Sequence, residues 1–247
     1  MKGILLAGGT GKRMKPLSDI DNKHLLPVFN KRMIELPISY LVQAGIRDII
    51  LITGGNRAGT FLELLKDGSE HGIRRLYYTY QKGSGGVAEA LQLAEAFVDP
   101  YEEIVVLLGD NYFEDGISPL LTAWRLTTPM FRGCLVLTQE TNCPWAYGIA
   151  VLDNTKKVVD IVEKPQDPSL GKQALLGGYL FDSSVWRRLR TIQPSVRGEL
   201  EITDLLKCYL VEDLLSIVDY PSYWSDMGTF DKWAEVSQRI IVQQKNE

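Results

Sequence analysis

The chain has 247 residues, of which 45% are hydrophobic and 23% are charged, and its formal net charge is −4. This is the composition of an ordinary globular protein, and it lacks the basic excess that a general nucleic-acid-binding protein shows. No apolar run approaches the roughly 20 residues of a membrane helix, and the N-terminus has no leader of the signal type. We therefore expect a cytoplasmic protein that binds neither nucleic acid nor membranes.

The first half of the chain alternates short apolar runs with amphipathic stretches. We predict strands at 4–7, 48–53, 75–80 and 103–108, and helices at 36–44, 57–66 and 87–97. Nearly continuous apolar strands separated by helices are typical of a parallel sheet that is covered on both faces. In such doubly wound α/β folds, ligands bind at the carboxyl ends of the strands.

The second half is richer in strands, which we predict at 135–138, 148–152, 158–162 and 178–181, with helices at 202–211 and 230–242. No repeat or low-complexity linker separates the two halves. We therefore expect one α/β domain, 1–247, in which a Rossmann-like, mixed and mostly parallel central sheet carries helices on both faces.

Three cysteines are present, Cys134, Cys143 and Cys208. Their number is odd and they form no C-x-x-C pair, so the sequence predicts neither a disulfide framework nor a thiolate zinc site. We expect three buried, reduced thiols.

The stretch LAGGTGKRMKP after the first strand does not fit the common nucleotide loops. A P-loop that ends at Gly11 would need glycine at position 6 and Ser or Thr at position 13, where the chain has Leu6 and Arg13. A dinucleotide loop that begins at Gly9 would need a third glycine where Met14 stands, and an acidic residue after the second strand, which is absent. An NAD-dependent oxidoreductase is therefore disfavoured.

What remains is a loop of three glycines, Gly8, Gly9 and Gly11, that is followed by cations. Without Cβ atoms, the backbone N–H groups of such a loop can approach a phosphate closely. Arg13 can bind two phosphate oxygens at once, and Lys23 follows in NKHLLPV. The alternative is a solvated basic loop in front of a helix, but the cations do not follow one helical face, which favours a phosphate site.

Two aspartates are candidate metal ligands. Asp110, in LLGDNYF, directly follows an apolar strand, where a carboxylate can hold Mg²⁺ against phosphates. Asp226, in YWSDMGTFDKW, precedes the last predicted helix and can supply a second carboxylate. The alternatives are a Gly-Asp-Asn turn at the first position and a helix cap at the second.

Two further strand ends carry polar side chains. In VEKP, Lys164 can neutralise a phosphate monoester while Glu163 accepts hydrogen bonds from hydroxyl groups, and a surface ion pair is the alternative. Gln81 ends the third predicted strand, and its amide matches the edge of a pyrimidine base. Gly86 leaves room for that base, and a flexible loop is the alternative there.

Taken together, these stretches resemble the sugar-1-phosphate nucleotidyltransferases, and among them most closely the glucose-1-phosphate thymidylyltransferases. The opening KGILLAGGTGKRMKPL and NKHLLPV are similar to the nucleotide-binding signature of that family. There follow in order MIELPISYLVQAGIRDIILI, GDN, YGIAVLD, VEKP, GGYLFD, RGELEITD and WSDMGT. The resemblance covers nearly the whole chain.

The resemblance implies a reaction in which an oxygen of a sugar 1-phosphate attacks the α-phosphorus of a nucleoside triphosphate in line, giving an NDP-sugar and pyrophosphate. Catalysis of this kind is mostly positioning and charge neutralisation. The implied substrates are dTTP and glucose 1-phosphate, and the implied cofactor is Mg²⁺. Residues 1–115 would be mainly the nucleotide-binding half, and residues 116–247 mainly the sugar-phosphate-binding half.

The resemblance also implies roles for individual positions. The implied catalytic residues are Arg13, Lys23 and Lys164. The implied nucleotide-binding residues are Leu6, Gly8, Gly9, Gly11, Gln81, Gly86 and Asp110. The implied sugar-phosphate-binding residues are Asn111, Gly148, Glu163, Lys164, Gly178 and Trp224, and the implied metal ligands are Asp110 and Asp226.

The chain departs from the family pattern at several positions. His24 stands where the family has Gln, and in QKGSGGVAEA Lys82 and Gly85 replace proline and aspartate. Thymine and uracil present the same hydrogen-bonding edge, and small steric differences in a pocket are worth only about 1–3 kcal/mol. UTP, CTP or another phosphorylated acceptor therefore remain alternatives, as does a non-catalytic module that binds nucleotide sugars.

Longer members of the family carry extra C-terminal helices that help to form a regulatory nucleotide site and subunit contacts. The chain ends at Glu247, which resembles a short form. We expect feedback inhibition through that regulatory site to be absent or altered. The oligomeric state is left open, with a homo-oligomer among the alternatives.

Overall fold

The computed structural model describes residues 1–9, 11–55, 57–129 and 132–245. The strands are β1 (Lys2–Ala7), β2 (Pro27–Val28), β3 (Lys31–Arg32), β4 (Asp48–Gly54), β5 (Arg75–Gln81), β6 (Ile104–Leu108), β7 (Asn111–Phe113), β8 (Cys134–Glu140), β9 (Gly148–Leu152), β10 (Val158–Glu163), β11 (Gln173–Phe181), β12 (Leu215–Asp219) and β13 (Trp224–Asp226). The α-helices are α1 (Leu17–Ile20), α2 (Glu35–Gln43), α3 (Ala58–Leu65), α4 (Val87–Gln92), α5 (Ser118–Leu126), α6 (Val185–Leu189), α7 (Ile202–Val211) and α8 (Phe230–Lys245).

The chain divides into two compact units, each built from separate segments. The first unit contains residues 1–84, 107–117 and 222–247. The second unit contains residues 85–106 and 118–221. The boundaries do not coincide with the division at 115 expected from the sequence, and the functional meaning of that division stays a prediction.

The first unit is built on parallel strands. β4 pairs in parallel with β1 on one side and with β5 on the other. Every residue of β1 and of β4 is buried, which explains their nearly continuous apolar sequences. β6 ends beside β1, since Gly109 N donates to Leu6 O at 2.9 Å. The loops that follow these strands therefore lie at one edge of the sheet.

The second unit has a mixed sheet. β11 pairs antiparallel with β8 and with β9, β9 pairs antiparallel with β10, and β12 pairs in parallel with β8. α7 packs on β10 and buries Ile202, Leu205, Leu206 and Tyr209, which share one helical face. The predicted α/β class, with a mixed and mostly parallel Rossmann-like sheet and helices, is confirmed.

Several details differ from the sequence-based expectations. The helix predicted at 87–97 is shorter, because α4 ends at Gln92 and a 3₁₀ turn follows at Glu95–Phe97. The short strands β2, β3, β7 and β13 were not predicted, since two or three residues carry no measurable periodicity. β12, α1, α5 and α6 were not predicted either.

The expectation of three buried thiols is wrong for two of them. Cys134 is buried, whereas Cys143 is exposed and Cys208 is partly exposed. Burial raises the pKa of the Cys134 thiol well above its usual value. Cys143 lies in the segment between β8 and β9. Within the described parts of the chain we find no helix with the length and apolar character needed to cross a membrane.

Candidate active site

The loop after β1 packs against the end of β5. Gln81, the last residue of β5, is buried, and a Cβ placed on Gly8 would overlap its side-chain oxygen. A Cβ on Gly54, at the end of β4, would lie 2.9 Å from Gly8 O. Two glycines thus allow the ends of three strands to meet, and the Gln81 amide lies directly beside the glycine loop.

The rest of the glycine loop packs on Lys23. A Cβ on Gly9 would contact Lys23 Cε at 3.4 Å, and a Cβ on Gly11 would lie 3.2 Å from Lys23 Cβ. Gly11 also has a φ of 64°, in the left-handed region that favours glycine. Arg13 follows in the 3₁₀ turn Lys12–Met14 and is exposed. Thr10 lies outside the described residues.

Lys23 and Asp110 form an ion pair at this edge of the sheet. Asp110 follows β6, and its other oxygen accepts a hydrogen bond from Asn111 Nδ2 at 3.0 Å. Burial by itself raises the pKa of the Asp110 carboxyl, but the Lys23 charge and these hydrogen bonds outweigh it and hold that pKa below its usual range. The carboxylate is therefore ionised at neutral pH.

His24, next to Lys23, is buried and neutral. Burial and then the Lys23 charge lower the pKa of His24 to about 3, although Asp110 opposes the shift. Asn22 Oδ1 accepts from His24 N at 3.0 Å and lies 2.8 Å from His24 Nδ1. Because this oxygen accepts, Nδ1 carries the imidazole proton and Nε2 is left as an acceptor.

The second candidate metal ligand lies beside the first. Asp226 ends β13, which pairs antiparallel with β7 so that Asp226 is opposite Asn111. Met227 N donates to Asp110 O at 2.7 Å, so the backbones of the two aspartates are tied together. Lys232, in the first turn of α8, forms an ion pair with Asp226. Asp226 is therefore not a helix cap, since α8 begins only at Phe230.

The absence of a side chain at Gly228 leaves room for the guanidinium group of Arg13. A Cβ on Gly228 would lie 2.8 Å from Arg13 Nη2 and 3.5 Å from Asp226 Oδ2. The guanidinium group of Arg13 thus reaches the turn that carries Asp226. The first unit brings together Arg13, Lys23, Asp110 and Asp226 as a cluster of two carboxylates and their cations.

Asn111 and Trp224 meet in the same β7–β13 ladder. Trp224 Nε1 donates to Asn111 Oδ1 at 2.7 Å, and Asn111 is buried. These two predicted sugar-binding residues therefore belong to the first unit, whereas Gly148, Glu163, Lys164 and Gly178 belong to the second.

In the second unit, three of the predicted residues meet at the end of β10. Glu163 pairs with Gly148 of β9, and a Cβ on Gly148 would lie 2.8 Å from Thr203 Cγ2 of α7. Thr203 Oγ1 donates to Glu163 Oε2 at 3.3 Å. Lys164 Nζ lies 3.2 Å from Glu163 Oε1, and Lys164 has a φ of 44°, which turns the chain sharply out of the strand.

Arg197 completes this cluster and was not predicted from the sequence. Its guanidinium group lies 3.2 Å from Glu163, 2.7 Å from Glu199 and 3.6 Å from Glu201. Glu201 is buried and accepts from Ser195 Oγ at 2.9 Å, and burial raises the pKa of its carboxyl. The motif RGELEITD carried the signal, because its arginine stands two and four residues before the carboxylates of Glu199 and Glu201.

Gly86 and Gly178 have structural settings of their own. Gly86 has a φ of 103°, and a Cβ there would overlap the carbonyl oxygen of Leu200. Its glycine is thus required by the fold, and its role in base binding stays a prediction. Gly178 lies in β11 at the point where the pairing with β8 shifts register, between Leu175 and Tyr179.

Comparison with known proteins identifies the family. The sequence model of the family described as Nucleotidyl transferase matches residues 2–243, nearly the whole chain. The chain belongs to the nucleotidyl transferase family. This nucleotidyltransferase is 38% identical over 241 residues to a glucose-1-phosphate thymidylyltransferase of an Actinoplanes species, covering 93% of this chain and 74% of the relative. The resemblance drawn from the sequence motifs is confirmed.

Solved structures agree with this assignment. The nucleotidyltransferase matches a Bacillus anthracis protein assigned as a glucose-1-phosphate thymidylyltransferase and solved with a sucrose, with a TM-score of 0.89 and 39% identity over 97% of this chain and 94% of that one. A UDP-glucose pyrophosphorylase solved with UDP-glucose shares the fold, with a TM-score of 0.83 at 22% identity, over 98% of each chain. The enzyme is a sugar-1-phosphate nucleotidyltransferase.

Proposed function

We propose that this enzyme joins dTTP to glucose 1-phosphate and releases pyrophosphate, forming dTDP-glucose. The proposal is supported by relatives at 38% and 39% identity, over 93% and 97% of the chain, that are named for this reaction. UTP or CTP as the nucleotide, and another phosphorylated acceptor, are the alternatives that the experiment below separates.

Gln81 supports the nucleotide assignment. Its amide is buried at the end of β5 and packed against Gly8, so that it has little freedom to rotate. A fixed amide offers one donor and one acceptor, which matches the edge of a pyrimidine. We assign base recognition to Gln81, with Leu6 and Gly86 as further nucleotide-binding residues.

The glycine loop and its cations would bind the triphosphate. Gly8, Gly9 and Gly11 leave the loop backbone open to phosphate oxygens. Arg13 and Lys23 supply positive charge beside that loop, and this charge would offset the negative charge that builds up on the departing pyrophosphate. His24 stays neutral at pH 7 and so adds no charge there.

Mg²⁺ is the cation that we propose for Asp110 and Asp226. The donor set fits, because two carboxylates are joined through their backbones by the 2.7 Å hydrogen bond from Met227. Within the described residues no group of three or more His, Cys, Asp or Glu side chains could enclose a metal, so phosphate oxygens and water would complete the shell, as is usual for Mg²⁺. When bound, Mg²⁺ would neutralise phosphate charge and orient the triphosphate.

The cluster at the end of β10 would bind the sugar phosphate. The Lys164 ammonium can neutralise the phosphate monoester, and Glu163 can accept hydrogen bonds from sugar hydroxyls, with Gly148 leaving space beside it. The other sugar-binding residues that we propose are Asn111, Gly178 and Trp224. Neither unit offers a nucleophile elbow of the G-x-S-x-G type, so direct attack by the sugar phosphate on the α-phosphorus is the reaction that we propose.

The substrate test is pyrophosphate release with Mg²⁺, measured over a grid of five nucleoside triphosphates and the 1-phosphates of glucose, galactose, mannose and N-acetylglucosamine. We expect the largest kcat/KM for dTTP with glucose 1-phosphate. A larger value with UTP or CTP, or with another sugar, would replace the proposed substrates. No release in any combination, with nucleotide still bound, would make the protein a binding module.

The roles of the aspartates need a separate test. Asp110→Asn should lower kcat/KM by about 100-fold or more, because the variant keeps the shape but loses the charge. It should also lower the melting temperature by a few degrees, because the largely buried Lys23 ammonium loses its counter-charge. Asp231→Asn is the matched control, since Asp231 is an exposed aspartate in the first turn of α8. Full Mg²⁺-dependent turnover of Asp110→Asn would remove the metal assignment.

A further inference from the structure

Asp226 already has a cation beside it. Lys232 projects from the first turn of α8, and its ammonium pairs with Asp226 Oδ1. The two side chains are 32% and 18% exposed, so the pair is partly shielded from water. The other carboxylate oxygen of Asp226, Oδ2, lies near Arg13. A Cβ placed on Gly228 would lie 3.5 Å from this oxygen and 2.8 Å from Arg13 Nη2.

The local charge balance is unfavourable for a free metal ion. Two carboxylates, Asp110 and Asp226, are accompanied by three cations, Lys23, Lys232 and Arg13, which leaves one net positive charge. A divalent cation that entered without displacing any of them would raise the local charge to three. Charges a few ångströms apart repel strongly where the side chains are partly buried. A triphosphate that enters together with the metal brings several negative charges, which offset the excess positive charge around Asp110 and Asp226.

We propose that Lys232 is a resident counter-ion of Asp226 that a divalent cation must displace, so that the nucleotide-free protein binds the metal weakly. This inference rests on the proposed function in one respect, the assignment of Asp226 as a metal ligand. Lysine suits the role, because its ammonium sits on a long flexible chain that can swing away from the carboxylate. The metal is then taken up together with the phosphates that compensate its charge.

Lys232 is also the cation of this cluster that can be tested most cleanly. Lys23 and Arg13 flank the glycine loop, so changing either would disturb the triphosphate site itself. Lys232 lies on α8 and takes no part in β13 or in the hydrogen bond from Met227 to Asp110, so we expect a neutral replacement to leave both in place. Lys245, at the other end of α8, provides a matched control on the same helix.

The test is Mn²⁺ binding to the nucleotide-free protein, measured from the electron paramagnetic resonance signal of free Mn²⁺. Lys232→Met should bind Mn²⁺ at least fivefold more tightly than the unchanged protein. Lys232→Arg keeps the cation and should bind Mn²⁺ as weakly as the unchanged protein. Lys245→Met should leave the affinity unchanged, and adding Asp226→Asn to Lys232→Met should remove the gain.

Two results would overturn the inference, and they differ in what else they remove. If Asp226→Asn weakens Mn²⁺ binding but Lys232→Met has the affinity of the unchanged protein or a lower one, only the counter-ion role of Lys232 fails. If Asp226→Asn has no effect on Mn²⁺ binding in either background, the metal assignment of Asp226 in the proposed function fails as well.

Discussion

Gly8 and Gln81 are in such close contact that a Cβ on the first would overlap the side-chain oxygen of the second. The two residues come from strands that are separated by β4, and they meet because β1, β4 and β5 end at the same edge of the sheet. The absence of a side chain at Gly8 therefore leaves room for the Gln81 amide and also keeps the backbone of the glycine loop accessible.

A methyl group at position 8 should displace the side-chain amide of Gln81. We expect Gly8→Ala to lower kcat/KM for the nucleotide by roughly tenfold to 100-fold and to cost about 1–3 kcal/mol in the free energy of unfolding, as overpacking does. Gly59→Ala is the control, because a Cβ at Gly59 on α3 meets nothing within 4 Å. Steady-state kinetics and urea unfolding provide the two values. A Gly8→Ala enzyme with unchanged nucleotide kinetics would disconnect Gln81 from base recognition.

A side chain at position 228 should displace the guanidinium group of Arg13. In Gly228→Ala the new Cβ would push the guanidinium group away from the turn, and a flexible side chain can move without unfolding the protein. We expect kcat/KM to fall by roughly tenfold or more while the melting temperature stays within a few degrees. A double-mutant cycle with Arg13→Ala is the check, because the two losses should not add if they act through one group. Additive losses would contradict the shared space.

Replacing Gly86 should destabilise the fold, whatever its effect on nucleotide binding. A Cβ there would overlap backbone atoms of Leu200, which cannot move aside, and the φ of 103° is strained for any other residue. We expect Gly86→Ala to lose about 3 kcal/mol or more of unfolding free energy. Gly83→Ala is the comparison, since Gly83 has a similar φ of 86° but open space around it, and should lose about 1 kcal/mol. Equal stability losses would show that Leu200 is not the constraint.

Asp48 should make the first unit sensitive to acid. Hydrogen bonds from Arg74 and Arg75 lower the pKa of this buried carboxyl below its usual range. A lowered folded-state pKa means that its stabilisation is complete above the unfolded pKa of about 3.9 and is lost as the pH falls toward the folded value. Asp48→Asn should cost about 1–2 kcal/mol at pH 7, a value reduced by the exposure of both arginines, and progressively less below pH 4.

Urea unfolding of both proteins between pH 7 and pH 3 measures this difference. Asp19→Asn is the control, since the Lys15–Asp19 pair is exposed on both sides and contributes little. A stability difference for Asp48→Asn that stays constant down to pH 3 would show that the carboxyl is not the titrating group.

The sequence predicted the main strands and the residues that follow them. The apolar runs of β1 and β4 are buried, as is that of β6 up to Leu107. Gln81 and Asp110 come at or just after strand ends, and the carboxyl ends of parallel strands lie at one edge of the sheet. These inferences need only the local pattern and one rule of topology. They were therefore within reach of a single sequence.

The contacts that the candidate site residues make with distant parts of the chain could not be predicted from the sequence. Lys232 meets Asp226 through the turn before α8, Arg197 meets Glu163 from a loop beyond β11, and Leu200 packs on Gly86. Each contact joins positions whose spacing follows no helix or strand period, so it depends on how whole elements pack. The ladder of β7 and β13 was not predicted because strands of three residues carry no measurable periodicity.

The first unit takes its residues from three stretches of the chain, 1–84, 107–117 and 222–247. A ribosome delivers these stretches in order, so β1, β4 and β5 can pair long before β13 exists. During that interval Tyr112 and Phe113 of β7, which are buried in the finished protein, lack the strand that pairs with them. Nascent chains stalled before residue 222 should therefore be chaperone clients and aggregate when released.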